Sequence, residues 1–259
     1  QNKNHQEMGY TLDVVDHIEL PFQAQIIRRR ISSQLALYRA KIAERVYAKM
    51  LEIKVEERTH ELAESQRAAI FMLGEAGHYN DTDTGVHIWR MAAYSAALAK
   101  EAGWDDKECE RLELAAPMHD TGKIGISDSI LKKPASLDDN QWVIMKSHAE
   151  IGRDILAKGG TPLFNLASEV AASHHERWDG TGYPDALKKE QIPWSARIVA
   201  IADVFDALTM KRPYKEPWTT EDAFEEIKKN SGSHFDPALV DNFLSIKDKI
   251  LSIKDSFNK

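Results

Sequence analysis

The chain has 259 residues, 42% of them hydrophobic and 29% charged, which suits one or two globular domains with a full core. A formal net charge of -7 argues against a nucleic-acid polymer or an anionic membrane as a general partner, but it allows a small anionic ligand held by a few local cations. The single cysteine, Cys109, excludes an internal disulfide framework and points to a reducing compartment, and it reads as a partly buried small hydrophobe. No apolar run is long enough for a membrane span. With neither a signal-peptide pattern nor an initiator Met, the expectation is a cytoplasmic chain that is a fragment of a longer protein.

Three regions follow in chain order. The first is residues 1–24; the stretch TLDVVDHIELPFQAQIIRRRI, from Thr11 to Ile31, carries a strand-like apolar segment, then Leu20-Pro21-Phe22, then the start of the next region's helix. It resembles the last strand and last helix of a response-regulator receiver domain, with Leu20 where that family usually has Lys. Residues 25–69 contain neither Gly nor Pro and predict one long helix. Ile31, Leu35, Tyr38 and Ile42 alternate in spacing as a coiled-coil seam does. Ala48, Leu51, Val55, Leu62 and Ala69 continue it after a one-residue slip, with Arg58 and Ser65 at core positions. Such a seam suits a signalling linker that pairs two copies of the chain as a homodimer; the alternative is a helix packed on its own domain.

From residue 70 to 259 the pattern is a series of helical segments with few, short strand signals. GVHIWRMAAYSAALAKEAGW stops at Gly103. SLDDNQWVIMKSHAEIGRDILAKGG begins at a capping-type Ser136 and ends at a Gly pair. The expected fold is all-α, a helical bundle preceded by a long linker helix, with minor strand content.

Histidines and aspartates recur in this region at what read as helix ends: His87, His119 with Asp120, His148, His174 with His175, and Asp203. Successive positions lie roughly 26 to 32 residues apart, about one helix and its return in an antiparallel bundle. Imidazole with carboxylate suits divalent transition metals. A carboxylate can bridge two cations, and Asp120 is the natural candidate. Paired metals can polarise a phosphoryl oxygen and lower the pKa of a water from 15.7 towards about 7, the chemistry of phosphoester hydrolysis. Adjacent residues on a helix point about 100° apart, so His174 and His175 are expected to serve the cluster from different directions or to reach different metals. His5, His17, His60, His78 and His234 read as surface or loop residues.

DTDTGVHIWR, HDTGKIGISDSILKKPASL, MKSHAEIGRDIL, HHERWDGTGYP, IPWSARIVAIADVFDALTMKRPYK and HFDPALV occur in this order, from roughly Phe71 to Val240. With these motifs the chain resembles the HD-GYP family, a branch of the HD metal-dependent phosphohydrolases. The resemblance implies hydrolysis of cyclic di-GMP to pGpG, GMP or both, as a bacterial second-messenger phosphodiesterase. It implies metal ligands at His87, His119, Asp120, His148, His174, His175 and Asp203. Some members hold a third metal through a Glu four residues before the first histidine; Asp83 stands there, where it can also cap the following helix. Two or three divalent ions are therefore expected, Fe or Mn first, with Ni, Co or Zn as alternatives.

The resemblance further implies that His119, Asp120 and Lys123 are catalytic, with Lys123 on the scissile phosphate. Tyr183, Arg212, Lys215 and Asp81 are then expected at the substrate. Alternatives are a catalytically weak cyclic di-GMP sensor, a mononucleotide phosphatase, and an interaction module whose Gly-Tyr-Pro turn docks a diguanylate cyclase domain.

Overall fold

A run of 45 residues without Gly or Pro does form one helix, and it continues beyond the run. In the computed structural model, which describes residues 21, 23–78, 85–210 and 216–257, helix α1 spans Ala24–His78. The chain divides into two compact units at Glu64/Ser65. In the first unit α1 is solvated, with every side chain from 35 to 64 exposed, including the predicted seam residues Leu35, Tyr38, Ile42, Leu51, Val55 and Leu62. Charged pairs one turn apart, Lys49–Glu52 and Arg58–Glu61, support it locally. The end of α1 belongs to the second unit: Ile70 is buried there, and the Phe71 ring stacks on Trp89 at 5.9 Å.

The second unit is a bundle. Its helices are α2 (Gly85–Glu101), α3 (Asp106–Ala115), α4 (Asp128–Leu131), α5 (Asp139–Lys146), α6 (His148–Leu156), α7 (Pro162–Ser173), α8 (Trp194–Thr209), α9 (Thr220–Lys229), α10 (Pro237–Ser245) and α11 (Lys247–Ser256). Short-range chemistry sets their starts. Asp105 caps α3 with Glu108 answering in a capping box, Thr161 precedes Pro162 at α7, and Thr219 and Asp236 cap α9 and α10. Gly103, at φ +96°, ends α2 as expected.

Three expectations change. The cap before α5 is Asp138 rather than Ser136: Asp138 accepts from the Gln141 N–H, and Gln141 reaches back to Asp138. The segment also breaks into two helices at Ser147, whose hydroxyl donates to the Ile144 carbonyl oxygen at 2.7 Å and so competes with the helical ladder. Among the described residues no strand forms; the strand signals leave one isolated bridge, Ser231 with Phe235.

The core lies where α2 and α8 cross, with α3, α7, α9 and α10 around them. Phe205 on α8 meets the Tyr94, Phe224 and Phe243 rings at 5.6, 4.7 and 5.3 Å. All four are buried, each contributing about 1.5–3 kcal/mol by leaving water. Cys109 joins this core as a small buried hydrophobe. No described helix is long and apolar enough to cross a membrane.

Candidate metal centre

Five segments bring the predicted donors together. His87 is on the first turn of α2, and Asp203 is on α8. His119 and Asp120 sit between the 3-10 turns Ala116–Met118 and Thr121–Gly125. His148 opens α6, directly after the break at Ser147. His174 is the C-cap of α7 and His175 follows it. Asp203 departs from the helix-end pattern, because α8 runs six residues further, to Thr209. Gly122 lets the His-Asp turn approach α6: a Cβ there would stand 1.9 Å from the His148 carbonyl oxygen.

Among the described residues two groups of donors form, each with its atoms within 4.8 Å of one another: Asp120, His148, His174 and His175, and His87, His119 and Asp203. Asp120 joins them. Its Oδ1 lies 3.4 Å from His148 Nε2 and 3.7 Å from His174 Nε2, while its Oδ2 lies 3.2 Å from His119 Nε2 and 2.7 Å from Lys123 Nζ. Asp203 Oδ1 lies 3.6 Å from His87 Nε2 and 3.9 Å from His119 Nε2.

The outer side of each ring fixes its orientation. Nδ1 of His119 is 2.9 Å from the Ala116 carbonyl oxygen, Nδ1 of His148 is 2.6 Å from that of Met145, and Nδ1 of His174 is 3.1 Å from that of Ala171. Nδ1 of His87 is 2.5 Å from Asp206 Oδ2. A carbonyl oxygen only accepts, so Nδ1 carries the proton and the Nε2 lone pair faces inward. Nε2 of His148 and of His174 are buried and make no hydrogen bond within the protein. Buried lone pairs without a donor are costly, and a divalent cation is the partner that suits them and the adjoining carboxylates.

The electrostatics agree. Burial presses the His119 pKa down, but the charge and hydrogen bond of Asp120 and the charge of Asp203 outweigh it and raise it to about 9. Burial presses Asp120 up, and Lys123 and His119 outweigh that, holding it well below the usual carboxylate range. Burial lowers His148 to about 4 against the pull of Asp120, and burial with the charges of His174 and His148 takes His175 well below its ordinary value. The Asp120, Asp203 and His119 side therefore attracts positive charge, and the His148 and His175 side offers neutral imidazoles. The His119 Nε2 proton on the first side would give way to a divalent cation, and the second side offers it free lone pairs.

His174 and His175 fall in one donor group rather than in two: His174 keeps helical backbone as the C-cap of α7, and the two rings lie 3.9 Å apart, tilted by 43°. Tyr183 lies beside this group, its ring 4.7 Å from that of His175. Burial keeps its hydroxyl protonated by raising its pKa. His60 is exposed, whereas His234, expected on the surface or in a loop, is partly buried in its turn and lines a cavity beside His175. Asp81, Asp83, Arg212, Lys215, His5 and His17 lie outside the described residues.

Three supporting residues escape sequence reasoning. Asp206 is buried and holds both His87 and Arg90; Arg90 Nη2 donates to Asp206 Oδ2 at 2.7 Å and its Nε donates to Oδ1. Its spacing, one turn after Asp203, is the only hint the sequence carries. Glu176, next to the two histidines, is buried and turns away from them. It accepts the N–H groups of Asp185 and Leu187 at 2.8 and 3.0 Å and so holds the turn that carries Tyr183.

A family model described as HD domain matches residues 45–239. The chain is 44% identical over 196 residues to the 3'3'-cGAMP-specific phosphodiesterase 2 of Vibrio cholerae, covering 76% of this chain and 38% of the relative. It is 37% identical over 270 residues to a probable cyclic di-GMP phosphodiesterase of the same organism (99% and 61% covered). It is 38% identical over 245 residues to a cyclic di-GMP phosphodiesterase of Thermotoga maritima (92% and 67% covered). The chain thus spans between about two fifths and two thirds of these relatives' lengths. Among solved structures, the cyclic GMP-AMP specific phosphodiesterase V-cGAP3 of V. cholerae shares the fold, with a TM-score of 0.58 at 20% identity over 72% of this chain and 50% of that one. Since the family model spans most of the chain and the Thermotoga relative is matched along two thirds of its own length, the chain belongs to the HD domain family, and its His-His-Glu and Gly-Tyr-Pro motifs put it in the HD-GYP branch.

Proposed function

We propose that the chain is a metal-dependent phosphodiesterase that hydrolyses cyclic di-GMP to pGpG, GMP or both. The observation that carries this reading is Asp120, whose two oxygens face two buried donor groups with Lys123 at 2.7 Å. The names of the relatives from V. cholerae and T. maritima support the same reading. Asp120, His148, His174 and His175 would hold one divalent ion, and His87, His119, Asp203 and Asp120 a second; the donor types suit Fe, Mn, Ni, Co or Zn, with Fe or Mn put first on the family resemblance. Asp83 would serve a third. When bound, such ions supply Lewis acidity towards a phosphoryl oxygen and a more acidic water.

The chain's own residues do the rest. The Nδ1 protons of His119, His148 and His174 stay on backbone carbonyl oxygens and that of His87 on Asp206, which holds these four imidazoles in register. The Lys123 ammonium donates to a non-bridging phosphate oxygen as negative charge develops there. The Tyr183 hydroxyl, held protonated, donates to the substrate and does not act as a base. Burial of His87, His119, His148 and His174 limits the water that reaches the site. Arg212 and Lys215 are assigned to phosphate and guanine contacts on the family resemblance, and Asp81 to the neighbourhood of the substrate.

A second substrate, 3'3'-cGAMP, is favoured by the 44%-identical relative. Anaerobic purification with elemental analysis, then incubation with each cyclic dinucleotide and product chromatography, tests both. Linear dinucleotide or mononucleotide formation that vanishes in the His119→Ala, Asp120→Ala double variant is expected. Cleavage that persists in that variant after metal removal would sink the reading.

Residues 70–259 form the catalytic domain in this proposal and 25–69 the linker. Its exposed Ile31, Leu35, Tyr38 and Ile42 would pack on the same seam of a second copy. Residues 1–24 would close an upstream receiver domain, and a diguanylate cyclase domain is the partner assigned to the Gly-Tyr-Pro turn.

A further inference from the structure

We propose that the open cavity beside the metal centre is a guanine subsite, in which the Trp142 indole stacks on a base and the Asp139 carboxylate pairs with its Watson–Crick edge. This rests on the cyclic-dinucleotide reading above and deepens it. Helix α5 is the starting point, because it contributes no buried residue to the bundle. Its start is fixed by its own Asp138–Gln141 capping box, and a 2.6 Å hydrogen bond from Lys133 Nζ to Gln141 Oε1 ties it to the preceding turn. Its large apolar side chains stay available, with Trp142 47% and Val143 70% exposed.

These side chains wall a cavity of about 630 Å³, inside the range of about 300–1,000 Å³ typical of small-molecule sites. Asp139 and Trp142 line the cavity, and so do His175, Tyr183 and Arg177. The cavity therefore reaches from α5 to the donor group of Asp120. A diester whose phosphate sits at that group has room for a nucleoside here.

The lining chemistry selects the base. An indole face stacks any nucleobase, worth roughly ten- to a hundredfold in affinity. A carboxylate only accepts hydrogen bonds. Guanine presents two donors together, N1–H and the exocyclic N2 amine, while adenine sets its N1 lone pair against the carboxylate. Arg177 adds a planar donor fork suited to guanine O6 and N7. Cyclic di-GMP and 3'3'-cGAMP both carry a guanine, so the subsite serves either substrate.

The test uses the metal-loaded full chain and steady-state kinetics on wild type, Trp142→Ala, Trp142→Phe and Asp139→Asn. Trp142→Ala is expected to raise KM for cyclic di-GMP about tenfold while kcat stays within about threefold. Trp142→Phe, which keeps an aromatic face, recovers most of that loss. Asp139→Asn narrows the preference for cyclic di-GMP over cyclic di-AMP, read as KM or Ki, by about tenfold. An unchanged KM in Trp142→Ala, a fall in kcat alone, or a Phe variant no better than Ala overturns the subsite. Wild-type protein that turns over cyclic di-GMP alongside any of those results leaves the phosphodiesterase reading standing. Wild-type protein that turns over no cyclic dinucleotide overturns both.

Discussion

Gly77, in the last turn of α1, lies backbone to backbone against Asp120: a Cβ at Gly77 would stand 3.0 Å from the Asp120 carbonyl oxygen and 3.1 Å from the Thr121 Cα. The end of the long helix thus rests on the residue that joins the two donor groups. Gly77→Ala gains about 1 kcal/mol of helix propensity. It also pushes a methyl group onto backbone that cannot rotate away, at a cost of about 1–3 kcal/mol. We expect a lower Tm and lower metal content in the purified variant, read by calorimetry and elemental analysis. A variant as stable and as metal-rich as wild type would show that the contact is slack.

Asp206 determines how His87 faces the centre. Asp206→Asn keeps the shape but halves the acceptors offered to His87 and Arg90. Burial alone would press the Asp206 pKa up; the hydrogen bonds from His87 and Arg90 overcome it, so the native residue is an anion. Loss of such a supporting carboxylate typically costs about 10- to 100-fold in metal affinity. Metal titration with a competing chelator should show that loss for one equivalent, with the other unaffected.

Glu176→Gln should loosen the turn that carries Tyr183. One of the two backbone N–H acceptors becomes a donor facing a donor, at a cost of about 1–3 kcal/mol. At about 2–4 °C per kcal/mol for a domain of this size, Tm should fall by several degrees. KM for the cyclic dinucleotide should rise with it. A change in Tm without any change in KM would separate the turn from substrate binding.

The chelated protein should be most stable near neutral pH. His148 and His234 have folded pKa values lowered from 6.5 to about 4, each by burial, opposed at His148 by Asp120 and reinforced at His234 by the charge of Arg177. Between pH 6.5 and 4 the unfolded chain therefore binds protons that the folded chain refuses, and stability falls as pH drops. His119 has the opposite sign. Its folded pKa of about 9 gives stability that is full below pH 6.5 and lost as pH rises through 9. Urea midpoints across pH 4 to 10 in the presence of a chelator should trace a maximum between these limits. His234→Asn should flatten the acid side only.

The all-α class, the long helix over residues 25–69, the stop at Gly103, and the candidacy of His87, His119, Asp120, His148, His174, His175 and Asp203 were legible in the chain alone. Helix propensity and capping act over a few residues, and a recurrence of about 29 residues is one helix and its return. Tertiary structure decided the rest. Asp206 meets His87 across 119 residues of chain, and no local pattern encodes that pairing. The departure of Glu176 from its histidine neighbours depends on where the chain returns at Asp185 and Leu187. His174 and His175 share one donor group because Asp120 and His148, from other segments of the chain, meet them both, and the glycine at position 77 is explained only by the backbone packed against it. Local sequence chose the donors, because their chemistry is intrinsic to each side chain; their distances and orientations were set by contacts between segments far apart in the chain.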